Sequence, residues 1–406
     1  MRTFEATVVA AVLLWTAIVL PAQESLDYTQ WRGPHRDGGA SSFVAPASWP
    51  DKLTFRWKTD VGEGYGTPLI VGGVVYAFTR RGTDETAAAL DTGTGRQIWS
   101  SGYAVSYTPA AAAAEHGASP KATPAYCDGK LFTLGVTGMV TAFDATSGKR
   151  LWQTAPPAEA PDYGAASSPL CEKNLVIVHP GNYGPLTAFD AATGVVRWTA
   201  GGDGFFMSPI AADIDGVRQI VTVTQKEVIG VLPADGTVLW RYPWSGGGSG
   251  GTMPVLFNDT VIVSALDSGV VAIAPVRHGN EWTVATTWTT REVSMYVSNP
   301  VIAGDALFGL SHRARGQYFA LDAKTGKTLW LGPPRQATNT AVVRAGELLF
   351  LLNDDGELIV ATSSRSGFDP LKRYTVATSA TWAQPAISGN RILVKDVSSI
   401  TLWTVD

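Results

Sequence analysis

The chain has little of what marks several common functional classes. Among its 406 residues only two are cysteine and five are histidine, too few for a cysteine framework or a histidine-rich metal cluster. His35, His116, His179, His278 and His312 are scattered, and none makes a ligand-spaced pair with a cysteine. Positive charge is not in excess: 31 Lys and Arg stand against 35 Asp and Glu, a net charge of −4 with no basic block. A nucleic-acid partner, which needs phosphate-neutralising charge, is therefore not expected. After residue 20 no apolar run is long enough to cross a bilayer. With 45% hydrophobic and 16% charged residues, global disorder is excluded too.

What the chain has in quantity is glycine (43), proline (24) and tryptophan (14), which suits short strands and tight turns and is poorly compatible with helix interiors. At the amino end, Arg2 precedes an apolar run from Ala6 to Leu20, followed by Pro21 and small Ala22. As a helix that run spans about 22 Å, short of the roughly 30 Å hydrocarbon core, so residues 1–22 read as a cleaved signal peptide rather than an anchor. No cysteine stands near the junction to carry a lipid, and the expected location is periplasmic or secreted. Residues 23–52, with Trp31 and Trp49, lack strand periodicity and read as an irregular arm packed on the outside by those two rings.

From residue 53 to residue 406 one pattern recurs: Ala-x-Asp-x-x-Thr/Ser-Gly-x-x-x-Trp. It runs from Ala89 to Trp99, Ala142 to Trp152, Ala188 to Trp198 and Ala320 to Trp330, and in weaker form from Val231 to Trp240. Upstream of each copy lies a small-residue-Pro step and an alternating strand pair. The opening prolines are 68, 124, 169, 209, 254, 300 and 385, with Ala341 standing in for one; the closing aromatics are Trp57, Trp99, Trp152, Trp198, Trp240, Trp288, Trp330 and Tyr374. Eight openings and eight closings at about 40 to 45 residues predict an all-β, eight-bladed propeller of four-stranded antiparallel blades. Trp57 closes a unit that nothing opens, and the last unit has no closing strand. The amino-terminal strand is thus expected to complete the carboxy-terminal blade, removing both free edges.

The Asp, Thr/Ser and Gly of the motif build a turn, and the aromatic is expected between blades as a structural element. Cys127 and Cys171 occupy equivalent positions in neighbouring repeats. Two separate buried thiols are the expected state, with a disulfide left open. The longest spacing contains residues 108–117, read as a two-turn helix with Thr108 as N-cap, Pro109 at N1 and Gly117 at C′, with His116 as a favourable cation near its C-terminus.

This repeat resembles the tryptophan-docking repeat of the quinoprotein-like, or PQQ-like, β-propellers over about residues 53–406. That superfamily implies one of two functions. One is oxidation by pyrroloquinoline quinone with calcium, as in alcohol and sugar dehydrogenases. The other is non-enzymatic scaffolding of the BamB type. The dehydrogenases' vicinal disulfide has no counterpart here, and their calcium ligands and catalytic Asp match no motif in this chain, so PQQ and calcium belong to the alternative reading only.

Loops that lead into each first strand and hairpins between second and third strands should gather on one rim. The former carry Glu63 and Tyr65, His116 to Lys121, Asp162 and Tyr163, Phe205 and Phe206, Ser245 to Gly251, Tyr296 to Asn299, Asn339, and Trp382 to Gln384. The latter carry Arg80 and Arg81 with Asp84 and Glu85, His179 to Tyr183, Gln225 to Glu227, Ser311 to Arg315, and Lys395 with Asp396. Arg80, Arg81, Arg313 and Arg315 read first as solvated charges paired with Asp84 and Glu85. With aromatics and amides beside them, they would otherwise suit an anionic or sugar-like ligand. His116 and His312 lack a nucleophile or orienting carboxylate at motif spacing, so no catalytic residue and no metal ligand is assigned. Trp244 with glycines 246–251 reads as an interblade linker in preference to a gate. The expectation is an exported monomer that binds a protein or envelope component through its rim. A quinone-dependent oxidoreductase is the alternative.

Overall fold

The computed structural model describes residues 27–40, 42–181, 184–204 and 206–406, so the expected signal peptide, Asn182, Tyr183 and Phe205 lie outside the described residues. Eight four-stranded antiparallel sheets follow one another around a central channel. Blade 1 holds Leu69–Val71, Val74–Arg81, Asp84–Asp91 and Gln97–Ala104. Blades 2 to 7 repeat that order over residues 125–153, 170–200, 210–243, 255–290, 301–331 and 340–375. Blade 8 is made by Ala386–Ser388, Arg391–Lys395 and Ser399–Thr404, and its outermost strand is Thr54–Asp60 from the other end of the chain. That strand pairs from Thr54↔Thr404 to Asp60↔Ser399. Ring closure by the amino-terminal strand is therefore the observed architecture.

The motif's geometry explains why each of its residues is there. Asp91 Oδ1 accepts from the Thr94 amide at 2.8 Å and from its hydroxyl at 2.6 Å, while Gly95 takes φ +71°. Asp144 with Ser147, Asp190 with Thr193 and Asp322 with Thr325 repeat it. The tryptophan of the preceding blade lies flat on that glycine. A Cβ added to Gly95, Gly148, Gly194, Gly236 or Gly326 would stand 2.3 to 2.9 Å from the ring of Trp57, Trp99, Trp152, Trp198 or Trp288. Each indole Nε1 then donates to a carbonyl of the same turn: Trp57 to Thr92, Trp99 to Ala145, Trp152 to Ala191, Trp198 to Pro233 and Trp288 to Ala323, all within 2.8 to 3.1 Å. Trp330 does the same to Ser364 at 2.8 Å. Blade 5 lacks the turn, its long strands Gly269–His278 and Glu281–Thr290 meeting at Gly279, and Trp240 bonds Gln219 Oε1 of its own blade instead. The Tyr374 hydroxyl reaches the Pro50 carbonyl.

Three expectations about the chain's architecture need correction. Cys127 and Cys171 are joined in a disulfide, Cα atoms 6.6 Å apart, because both lie on first strands that stand side by side around the channel. Residues 111–116 form a short 3₁₀ helix whose N-cap is Ala110, not Thr108, with no side-chain cap; Gly117 follows at φ +60°. Ser245–Ser249 is likewise a 3₁₀ turn, and Trp244 is buried in the core of blades 4 and 5.

The third correction concerns the arm, which enters the channel. Tyr28 pairs with Ile70 in the first strand of blade 1, and the Thr29 carbonyl accepts from Tyr126 of blade 2. Arg36 donates to the Ser168 and Pro169 carbonyls of blade 3 at 3.0 and 2.8 Å, and Arg32 to the Pro300 carbonyl of blade 6 at 2.5 Å. Gly38 and Ala40 bond the backbone of Arg344 in blade 7, and Ser42 accepts from Gly389 of blade 8. Both guanidinium groups are buried, at 1% and 3% exposure, and burial pushes their pKa values down to about 10 and about 9. Trp31 packs on the blade 4 and 5 core, whereas Trp49 stacks with Phe43 over Phe350 of blade 7.

Candidate functional site

The first residue of each chain step into the channel comes just before an opening proline, where the ring clash with Pro holds the backbone extended. That conformation sends the backbone N–H round the channel mouth to the next blade. Thr67 N–H donates to Thr123 Oγ1, Thr123 N–H to Ser168 Oγ and Ser168 N–H to Ser208 Oγ, at 2.8 to 3.0 Å. Across the ring, Met253 N–H donates to Asn299 Oδ1 at 2.9 Å and Thr340 N–H to Ser298 Oγ at 3.0 Å. In four of these ties the acceptor is the hydroxyl or amide just before Pro, a signal present in the sequence as Thr-Pro, Ser-Pro and Asn-Pro, whereas Ser298 stands one residue earlier and accepts from Thr340 of the following blade.

Inside this collar is a funnel of about 290 Å³, lined by residues from every blade and floored by Trp31 of the arm. Of the rim residues singled out from the sequence, Tyr65, His116, Lys121, Tyr296, Asn299, Trp382 and Gln384 meet here, together with Tyr163, Phe206 and Asn339. Tyr65, His116 and Trp382 form an edge-to-face triangle with centroids 5.6 to 6.3 Å apart, and Tyr163 meets Phe206 at 5.8 Å on the other side. Lys121 holds its ammonium 5.1 Å from the Tyr65 ring centroid. Burial lowers its pKa to about 8, and it has no hydrogen-bond partner among the described residues. Gln384 is 5% exposed; its Nε2 is fixed on the Val342 carbonyl at 2.9 Å, while Oε1 has no donor among the described residues. Glu63 lines an adjoining hollow with Glu115, His116 and Asp396.

The remaining candidates stand elsewhere, and Arg80, Arg81, Glu85, His179 and His312 are committed to internal bonds. Arg80 donates to the Gly82, Val105 and Ala118 carbonyls and Arg81 to those of Asp60 and Val61, so main-chain oxygens, not Asp84 and Glu85, take up these charges. Glu85 is fully buried and accepts from the Val136 amide; burial raises its pKa. His179 is buried between Gly184 O at 3.2 Å and Thr222 Oγ1 at 2.8 Å, and burial lowers its pKa to about 4. His312 bridges Ser294 O and Asp267 Oδ1. Arg313 and Arg315 sit in a 3₁₀ turn outside the funnel. Sequence reasoning missed Trp31, since nothing in its spacing indicates that the arm enters the ring.

Among the described residues no group of three or more His, Cys, Asp or Glu converges on a point that could hold a metal, and no helix is long and apolar enough to cross a membrane. The funnel lining contains no carboxylate. A calcium ion takes six to eight oxygen ligands, usually with carboxylates among them. Here the amide oxygens of Asn299 and Asn339 already accept hydrogen bonds and the lining carries the Lys121 ammonium in place of a carboxylate, so the donor set does not fit calcium with a quinone.

The family model described as "Outer membrane protein assembly factor BamB" matches residues 54–122 and 83–331. The BamB of Shewanella oneidensis is 24% identical over 355 residues, covering 84% of this chain and 75% of that protein. The dehydrogenase subunit of a quinone alcohol dehydrogenase from Komagataeibacter europaeus is 26% identical over 336 residues, 78% of this chain but only 40% of that protein's length. The crystal structure of BamB from Moraxella catarrhalis superposes with a TM-score of 0.63 at 16% identity, covering 87% of this chain and 97% of that one. With the matched segments spanning well over half of the sequence, and the ring closed as described, the chain belongs to the PQQ-like β-propeller family that the BamB model represents.

Proposed function

We propose that this protein is an exported, non-catalytic propeller that holds a protein or other envelope component against its funnel-side rim. The observation that carries the reading is where exposed apolar side chains fall. Of the fourteen large apolar side chains exposed among the described residues, Tyr163, Tyr296, Val297, Trp382 and Val397, each 37 to 46% exposed, border the funnel or the hollow beside it, while the other nine are spread over the arm and the outer parts of the blades. Exposed apolar residues gathered round one concave mouth support a binding face there. Of the charged and titratable rim residues, Arg80, Arg81, Glu85 and His179, by contrast, are spent on internal bonds. The BamB relatives, named as assembly factors, support a scaffold role. The test is site-specific photo-crosslinking in cells of the source organism. Crosslinker at Val297 should trap one discrete partner, and crosslinker at Asn174 or Asn390, in turns at the other end of the blades, should not. Equal yields from both ends would sink the reading.

The quinone dehydrogenase relatives favour a second reading, an oxidoreductase using pyrroloquinoline quinone. Because the donor set does not fit calcium, no chemical step is derived from it. Titration with the quinone and Ca²⁺ is expected to give neither saturable binding nor dye reduction with alcohols or aldoses; turnover would make the second reading the first.

A further inference from the structure

The funnel carries two unmet demands of opposite kind. On the blade 2 side, Lys121 presents a buried ammonium with no carboxylate among the residues lining the cavity. On the blade 8 side, Gln384 presents a buried amide whose nitrogen is already fixed, so the oxygen left over needs a hydrogen-bond donor. A buried ammonium without a hydrogen-bond acceptor and a buried amide oxygen without a donor each cost free energy that a complementary ligand would recover. The rings of Trp31, Tyr65 and Trp382 line the same cavity. Ser168 and Ser208 also line the space, and each hydroxyl accepts one backbone N–H from a neighbouring blade. A hydroxyl has one proton to give and two lone pairs, so each retains a donor for a ligand oxygen.

We propose that the funnel binds a uronic-acid-type sugar residue: a hydroxylated ring with its carboxylate toward Lys121, a hydroxyl donating to Gln384 Oε1, and its C–H face on the aromatic wall. Each feature excludes a competitor. A neutral sugar leaves the Lys121 ammonium unpaired. An aromatic acid without hydroxyls leaves Gln384 unpaired, and one with a single hydroxyl offers fewer oxygens to Ser168 and Ser208 than a sugar ring does. At about 290 Å³ the cavity is at the lower end of the roughly 300–1,000 Å³ usual for small-molecule sites, room for one sugar ring or the end of a chain and not for a threaded polymer. The inference rests on reading this rim as the binding face, and the two fail separately: a partner trapped from Val297 without sugar binding would remove only the ligand assignment.

The test is titration of the full-length mature protein with glucuronate, glucose, 4-hydroxybenzoate and a glucuronate tetramer, followed by tryptophan fluorescence and calorimetry. Saturable binding of glucuronate is expected, with glucose and 4-hydroxybenzoate at least roughly tenfold weaker, since each lacks a charge-assisted or hydroxyl contact. Lys121→Met should weaken glucuronate by roughly 10- to 100-fold while leaving glucose unchanged, and Gln384→Glu should weaken it through repulsion. Trp382→Ala should reduce affinity for both sugars. Tetramer binding tighter than the monomer assigns a polysaccharide end as the source, and equal binding assigns the free acid. Glucose binding as tightly as glucuronate, tighter binding of 4-hydroxybenzoate, no binding at all, or a Lys121→Met protein of native stability with unchanged affinity would each overturn the proposal.

Discussion

Truncating Trp57 should do more than truncating any other blade tryptophan, because Trp57 sits on the one strand that joins its blade without a chain connection to it. Its ring is 6% exposed and lies on Gly95, its Nε1 donates to the Thr92 carbonyl at 2.8 Å, and Thr59 adds a bond to the Gly95 carbonyl at 2.8 Å. Trp57→Ala leaves a cavity costing about 3–5 kcal/mol. The orphaned Thr92 carbonyl adds about 1 kcal/mol, for a total of about 4–6 kcal/mol. Trp198 is a matched comparison at 7% exposure, with Nε1 on the Pro233 carbonyl at 3.0 Å and its ring on Gly236. Its strand is tied to blade 3 by a short turn, so Trp198→Ala should cost a similar amount in urea unfolding and leave the ring closed. Only Trp57→Ala should release the 54–60 strand, detectable as rapid tryptic cleavage after Arg56 and Lys58 in native buffer. If the two variants show the same proteolysis, or if Trp57→Ala costs less than about 2 kcal/mol, the clasp is not what holds the ring.

Reducing the Cys127–Cys171 disulfide, or replacing both residues with Ser, removes a crosslink across 44 residues and should lower stability by about 4 kcal/mol on the chain-entropy account; urea midpoints with and without reductant measure it. His179 is neutral in the fold, with its pKa lowered from 6.5 to about 4 by burial. The unfolded chain binds the extra proton between those values, so the full contribution is present above pH 6.5 and about 3 kcal/mol is lost as pH falls to 4. That loss should be absent from His179→Gln in urea titrations at pH 7 and 4.5; an equal loss in the variant would refute it. Gly326→Ala and Gly279→Ala both put a side chain at positive φ, +70° and +66°, but only at Gly326 would the new Cβ meet a ring, Trp288 at 2.3 Å. Gly279→Ala should cost about 1–2 kcal/mol and Gly326→Ala clearly more, and equal melting temperatures would refute the docking role of the glycine.

The parts legible in the sequence are those written in a repeating local code. Asp144, Ser147, Gly148 and Trp152 stand at fixed offsets because one turn and one docking contact recur, and counting copies was enough to set blade number and ring closure. Most of the funnel wall followed, since Tyr65, Lys121, Tyr296 and Trp382 lie on loops whose position the register fixes. The disulfide needed the angle between blades: Cys127 and Cys171 are equivalent in register, but whether equivalent sulfurs meet depends on how closely the first strands approach at the channel. The charges on Arg80 and Arg81 were misassigned because their acceptors are carbonyls, which every residue has and no sequence marks. The arm was missed for the same reason. Arg32 and Arg36 recognise the backbone oxygens of Pro300, Ser168 and Pro169, which become available only once the ring has brought blades 3 and 6 around one channel.

That placement ties ring closure to the candidate site through one segment of chain. Residues 27–40 and Ser42 bond to blades 1, 2, 3, 6, 7 and 8 from within the channel, and eighteen residues after Arg36 and fourteen after Ala40 the chain becomes the strand that closes blade 8. A buried guanidinium without a carboxylate partner is costly, and Arg36 is tolerated only because two carbonyls and Gln30 Oε1 surround it. Those carbonyls belong to the step into blade 3, the same step whose Ser168 hydroxyl lines the funnel. The floor under any ligand, Trp31, is therefore held by contacts that exist only in the closed ring. A propeller opened at the clasp would lose the shape of its funnel along with its edge pairing, and the aromatic wall would then have no floor to work against.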